Sequence, residues 1–140
     1  MTETPTAQDI VLTGTTASGL GKATGFTQLG WVQRQFERKL GFRTWPGTFN
    51  VRVGDGARAQ WESVMNRDGI SIEPPNASGC VATCYPVVIA ETVRGAIILP
   101  HVADYPPDQI EILAPENVRQ RLRLADGDPV ALRIPRPYEE

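Results

Sequence analysis

Gly41-Phe42-Arg43-Thr44-Trp45-Pro46-Gly47-Thr48-Phe49-Asn50 is where this chain changes from a helical to an extended pattern. Upstream, Val32, Phe36 and Leu40 recur at i, i+4 and i+8, while Gln33, Arg34, Glu37 and Arg38 fill the other face. That spacing predicts an amphipathic helix over 29–40. Gly41 stops it, because glycine accepts the left-handed conformation that ends many helices. Arg38 and Lys39 complement the dipole of the last turn, and Arg34 and Lys39 read as a solvated face. Downstream, 48–53 reads as a strand, in which residues i and i+2 share a face. The Thr48 hydroxyl and the Asn50 carbonyl therefore lie side by side. Both are neutral oxygens of the kind Mg²⁺ accepts while keeping waters and phosphates as its other ligands. The same residues also suit an ordinary Pro-Gly turn with Asn50 bonded to backbone, and spacing by itself leaves both readings open.

Toward the N-terminus, the β-branched run Ile10, Val11, Thr13, Thr15 and Thr16 predicts a first strand over 9–17. It enters Ser18-Gly19-Leu20-Gly21-Lys22-Ala23-Thr24-Gly25, whose backbone amides can approach a ligand closely and whose lysine adds a cation. The spacing matches neither the P-loop nor the dinucleotide fingerprint. A phosphate cradle and an unliganded hairpin loop both fit.

Toward the C-terminus, 54–79 is polar and reads as an excursion from the core, with a short candidate helix over 59–66. Segments 81–91 and 93–99 are strongly β and predict a hairpin turning around 92–95. The prolines at 100, 106 and 107 mark an irregular loop. Residues 108–114 form a strand with Ile110 and Ile112 on one face and Gln109, Glu111 and Leu113 on the other. A short helix over 116–122, a tight turn at Asp126-Gly127-Asp128 and a last strand over 129–134 complete the chain. About six short strands, two short helices and no βαβ alternation predict a mainly β fold, a small closed, mostly antiparallel barrel.

The 140 residues suit one domain, 1–140, with flexible tails at 1–8 and 136–140. With 41% hydrophobic residues, 21% charged and a net charge of −2, the chain carries no clustered basic footprint for nucleic acid. Its apolar runs are too short to span a bilayer, and Met1 to Gln8 lacks the pattern of a secretory signal. The expectation is a cytoplasmic protein without nucleic-acid or membrane partners, monomeric by preference. Cys80 and Cys84, with His101 as the lone histidine, are too few for a structural zinc site and read as small buried hydrophobes.

Taken together, the segments resemble the archaeal-type CTP-dependent riboflavin kinases over nearly the whole chain, from about 14 to 134. The resemblance rests on Ser18-Gly19-Leu20-Gly21, on Gln35-Phe36 with Lys39-Leu40-Gly41-Phe42, and on Pro46-Gly47-Thr48-Phe49-Asn50. It continues through Cys84-Tyr85-Pro86, Gly95-Ala96, the run from Ile112 to Arg119, and Leu124-Ala125-Asp126-Gly127-Asp128. It implies a six-stranded cradle-loop barrel that transfers a phosphoryl group from CTP to the ribityl primary alcohol of riboflavin, giving FMN and CDP. It further implies that Gly19, Leu20, Gly21, Lys22, Ala23 and Thr24 line the nucleotide phosphates and that Glu116, Asn117, Val118 and Arg119 meet the nucleotide. Thr48 and Asn50 would hold Mg²⁺, and Glu111 would contact the flavin together with the loop position occupied by Ala103. The chain departs from the family there, where threonine is usual, and Pro106-Pro107 stands where relatives are more polar. The N-terminal DNA-binding helices that some relatives carry have no counterpart in this sequence. No general base stands out, although Asp104 and Glu111 are the carboxylates nearest the expected alcohol. Two alternatives stay open beside the kinase: a non-catalytic flavin- or nucleotide-binding module, and a kinase of the same fold acting on another small alcohol.

Overall fold

Leu12, Gly14 and Thr16 of β1 (Ile10–Ala17) turn inward, while Val11, Thr13 and Thr15 between them face solvent. This period-2 burial is what a strand with one covered face requires. A computed structural model describes residues 8–18, 29–73 and 82–136. Beyond β1 its elements are α1 (Gly30–Lys39), β2 (Phe49–Arg52), α2 (Arg58–Met65), β3 (Ile70–Ile72), β4 (Ala82–Ile89), β5 (Val93–Pro100), β6 (Gln109–Leu113), α3 (Val118–Leu122) and β7 (Pro129–Ile134). A single 3₁₀ turn, Asp55–Ala57, leads into α2.

The strands follow the order β3-β4-β5-β6-β2-β1-β7, with every neighbouring pair antiparallel. β4 also pairs with β7, through Val88↔Arg133 and Ile89↔Leu132. That contact closes β1, β2, β4, β5, β6 and β7 into the expected six-stranded barrel, and closure removes the open edges that would invite aggregation. β3 stands outside the cylinder, extending the other end of the same β4 edge through Ile70↔Cys84 and Ile72↔Ala82.

Two apolar layers hold these elements. Leu12, Phe49, Val51, Val87, Ile89, Ile97, Ile110, Ile112 and Leu132 fill the barrel, joined by Trp61 and Val64 of α2 and Val118 of α3. On the outside, Val32 and Phe36 of α1 cover Ile72, Ala82, Cys84, Ala96, Ile98 and Leu113. The alternation read for β6 is thus realised: Ile110 and Ile112 face the interior, and Leu113 faces the α1 layer. α1 ends as its pattern predicts, with Gly41 at φ +87° and its N–H bonded to Phe36 O at 2.8 Å.

Three expectations need correction. The 81–99 hairpin turns at Ala90 and Glu91, both left-handed at φ 50° and 52°, and not around 92–95. Gly95 lies within β5 for a packing reason: a Cβ there would stand 2.5 Å from Leu113 O and 3.2 Å from Ile112 Cγ2. Gly95→Ala is therefore expected to cost about 1–3 kcal/mol, as overpacked sites do, seen as a lower denaturant midpoint at unchanged slope. The polar 54–79 stretch supplies a strand, β3, as well as its expected helix. Lys39 is not on a solvated face, since its ammonium donates to Ser71 O at 2.6 Å and clips α1 to β3. Gln35 adds to that clip, donating from Nε2 to Glu73 O while Oε1 accepts from Glu73 N at 3.0 Å. The expected tails fall almost wholly outside the described residues, as does Cys80; Cys84 is buried. Among the described residues no helix is long and apolar enough to cross a membrane.

Candidate functional site

Antiparallel pairing of β2 with β6 sets Asn50 directly opposite Glu111. Residues opposite each other on one face of a sheet have side chains in reach, and here the outward face carries the polar ones. The Thr48 hydroxyl donates to Glu111 Oε1 at 3.1 Å and lies 3.3 Å from Asn50 Oδ1. The expected Thr48–Asn50 juxtaposition is therefore present. The plain turn reading holds as well: Gly47 sits at φ +94° and Asn50 Nδ2 donates to Thr48 O at 3.2 Å. That bond turns Asn50 Oδ1 toward the Thr48 hydroxyl. Octahedral Mg²⁺ with ligands at about 2.1 Å has adjacent ligand oxygens about 3 Å apart. Two neutral oxygens at 3.3 Å beside a carboxylate fit such an ion.

Glu111 is 1% exposed. Besides Thr48, its carboxylate accepts from the Tyr105 phenol, OH to Oε2, at 2.8 Å. Tyr105 belongs to the loop between β5 and β6, so this bond brings the loop carrying Ala103 to the Glu111 side of the barrel. Ala103 and Asp104 themselves are exposed. The loop's far end is anchored by Trp61 Nε1 donating to Pro107 O at 3.2 Å. Gln109, 5% exposed, donates from Nε2 to Asn50 Oδ1 at 3.2 Å. Neither Tyr105 nor Gln109 was singled out from sequence. Gln109 carried a signal, being two residues before Glu111 on the same face; Tyr105 carried none, since its partner is set by loop geometry.

Burial, then the charge and hydrogen bond of Glu111, push the Tyr105 phenol far above the usual tyrosine value of 10.0. Burial, with Asp68 adding, also raises Tyr85. A group whose folded-state pKa is raised contributes stability that is complete below its unfolded value and lost as pH rises beyond it. Folding stability should therefore fall as pH rises above about 10. The Tyr105 phenol should yield no tyrosinate absorbance there before the fold is lost.

Among the described residues, the candidates of 116–119 connect to the end of β1 that lies beside Asn50. β1 finishes beside the start of β2, with Ala17 opposite Asn50. The next residue, Ser18, donates to Asp126 Oδ2 at 2.9 Å, and Asp126 is also the ion-pair partner of Arg119. The structure so joins the threshold of the glycine-rich stretch to α3. Gly19, Leu20, Gly21, Lys22, Ala23 and Thr24 lie outside the described residues. Asn117 caps α3, its Oδ1 accepting from Gln120 N at 3.0 Å. Glu116 pairs with Arg121 at 3.0 Å, and Val118 is buried in the barrel core. A separate groove of about 510 Å³ runs between β1 and 54–60 and is lined by none of the candidate residues.

Comparison with known proteins places this geometry. The family model for CTP-dependent riboflavin kinases, described as Domain of unknown function DUF120, matches residues 16–134. A riboflavin kinase of Aeropyrum pernix is 36% identical over 127 residues, covering 89% of this chain and 95% of the relative. One from Methanocella arvoryzae is 41% identical over 125 residues, covering 89% of this chain and 56% of the relative. One from Haloquadratum walsbyi is 33% identical over 132 residues, again with 89% and 56% coverage. The chain thus spans nearly all of the first relative and about half the length of the other two. Matched by the family model over most of its length and 36% identical to a relative it covers almost entirely, this six-stranded barrel belongs to the CTP-dependent riboflavin kinase family.

Proposed function

We propose that the chain is a riboflavin kinase that uses CTP, passing its γ-phosphoryl group to the primary hydroxyl of the ribityl chain to give FMN and CDP. The observation that supports this most is the convergence of Thr48 Oγ1, Asn50 Oδ1 and the buried Glu111 carboxylate in a chain of this family. Phosphoryl transfer passes through a loose transition state, so positioning and charge neutralisation matter more than a covalent nucleophile. Through neutral oxygens, Thr48 and Asn50 would hold Mg²⁺, which would supply charge neutralisation for the nucleotide phosphates. Backbone amides of 19–24, with Lys22, cradle those phosphates, as a nest of N–H groups does.

Glu116, Asn117 and Arg119 meet the nucleotide around the start of α3, with Arg119 steadied by Asp126, while Val118, its side chain buried in the core, offers only its backbone. The flavin lies toward Glu111 and the loop bearing Ala103. As a carboxylate, Glu111 accepts hydrogen bonds only, so it selects O–H or N–H groups of the acceptor. Barrel and α3 thereby act as one catalytic unit. The test is incubation with riboflavin, Mg²⁺ and either CTP or ATP. FMN formed with CTP and not with ATP is the expected result, and no phosphorylation with either nucleotide rejects the proposal.

A further inference from the structure

We infer that Tyr105 is a positioning residue for the phosphoryl acceptor, acting through Glu111; the inference rests on the kinase reading above. A glutamate on a strand has rotatable bonds beyond its Cβ, and burial alone does not choose a plane for its carboxylate. Here two hydroxyl donors, one per oxygen, choose it: Thr48 Oγ1 on Oε1 at 3.1 Å and Tyr105 OH on Oε2 at 2.8 Å. They come from opposite sides in sequence, one from the turn before β2 and one from the β5–β6 loop. A plane so defined sets the direction from which a further donor reaches the carboxylate. That donor must be O–H or N–H, because a carboxylate accepts only. A polyhydroxylated acceptor bearing an imide N–H, as riboflavin does, is of this class.

The phenol suits the task. Burial and the neighbouring carboxylate keep it protonated, so it stays a donor. Its loop is tied down just beyond it, at Pro107 by Trp61 and at Pro106 by Gln109 N. Thr48 already serves the proposed metal pair, whereas the Tyr105 phenol bonds Glu111 on its other oxygen.

Tyr105→Phe deletes one oxygen and keeps the ring, so the barrel should fold. Riboflavin affinity, from titration of flavin fluorescence on the full chain, is expected to fall about ten-fold, the worth of one hydrogen bond to a charged group. Affinity for CDP with Mg²⁺, read by calorimetry, should stay within about two-fold, because Thr48 keeps its own bond to the other carboxylate oxygen, Oε1, and its contact with Asn50. The kinetic counterpart is a raised KM for riboflavin at nearly unchanged KM for CTP. Unchanged riboflavin affinity overturns the inference, and so does an equal loss for both ligands, which marks a merely structural phenol. If the unsubstituted protein phosphorylates riboflavin while Tyr105→Phe binds it normally, the inference alone fails. If the unsubstituted protein binds no riboflavin, the kinase reading fails and carries the inference with it.

Discussion

An Asn50→Ala protein is expected to phosphorylate riboflavin on the order of 10²–10³-fold more slowly, the usual cost of removing one preorganised charge-stabilising group. Asn50 Oδ1 is one of the two neutral oxygens that meet at 3.3 Å, and β2 holds it opposite Glu111. Alanine removes the ligand and the bond to Thr48 O, and it strands the Gln109 amide on a 5% exposed side chain. The measurement is initial rate against Mg²⁺ concentration, with thermal unfolding followed in parallel. A loss that survives saturating Mg²⁺, measured well below the melting temperature of the variant, matches a ligand role. A rate within about three-fold of the unsubstituted protein removes Asn50 from the metal site, since a lost ligand costs far more than that.

Phe36→Ala should destabilise the fold by about 3–5 kcal/mol, the range for a large aromatic taken from a packed core. Phe36 is wholly buried at the centre of the layer between α1 and the outer face of the barrel. Its ring meets Phe42 edge to face, centroids 5.8 Å apart and planes at 70°. At this chain length the loss corresponds to a melting temperature lower by about 10–20 °C, readable by calorimetry. Function should suffer as well, because α1 steadies the approach to the metal pair: Gln33 accepts from Thr44 N at 3.0 Å and donates to its hydroxyl. A shift of only a few degrees would mean that the α1 layer collapses around the gap.

What the sequence made legible follows from range. Thr48 and Asn50 could be paired because strand alternation is local, and the α1 stripe of Val32, Phe36 and Leu40 because helical periodicity is local. Glu111 could be placed on the correct face of its strand, yet its bond to Thr48 depends on the β2–β6 register, which no short window contains. Tyr105 is harder still, since it reaches Glu111 from a loop with no repeating pattern. β3 escaped notice because three residues, Ile70 to Ile72, carry too little alternation. They become a strand by borrowing the β4 edge and the Gln35 and Lys39 clips from α1. The Ala90–Glu91 turn hid for the opposite reason: residues that seldom adopt positive φ occupy it, while Gly95 nearby gave a false cue.

β4 meets β7 over just Val88↔Arg133 and Ile89↔Leu132, supported by Ala90 N–H to Ala131 O at 2.8 Å and the Arg133–Glu91 ion pair. This is the narrowest seam around the cylinder, and low-energy opening begins where the fewest backbone bonds must break. In the strand order the β6–β2 pair sits two strands in from β4 on one side and from β7 on the other. Breathing of the wall is thereby steered away from the Thr48, Asn50 and Glu111 cluster, which can stay rigid while the far side of the barrel yields.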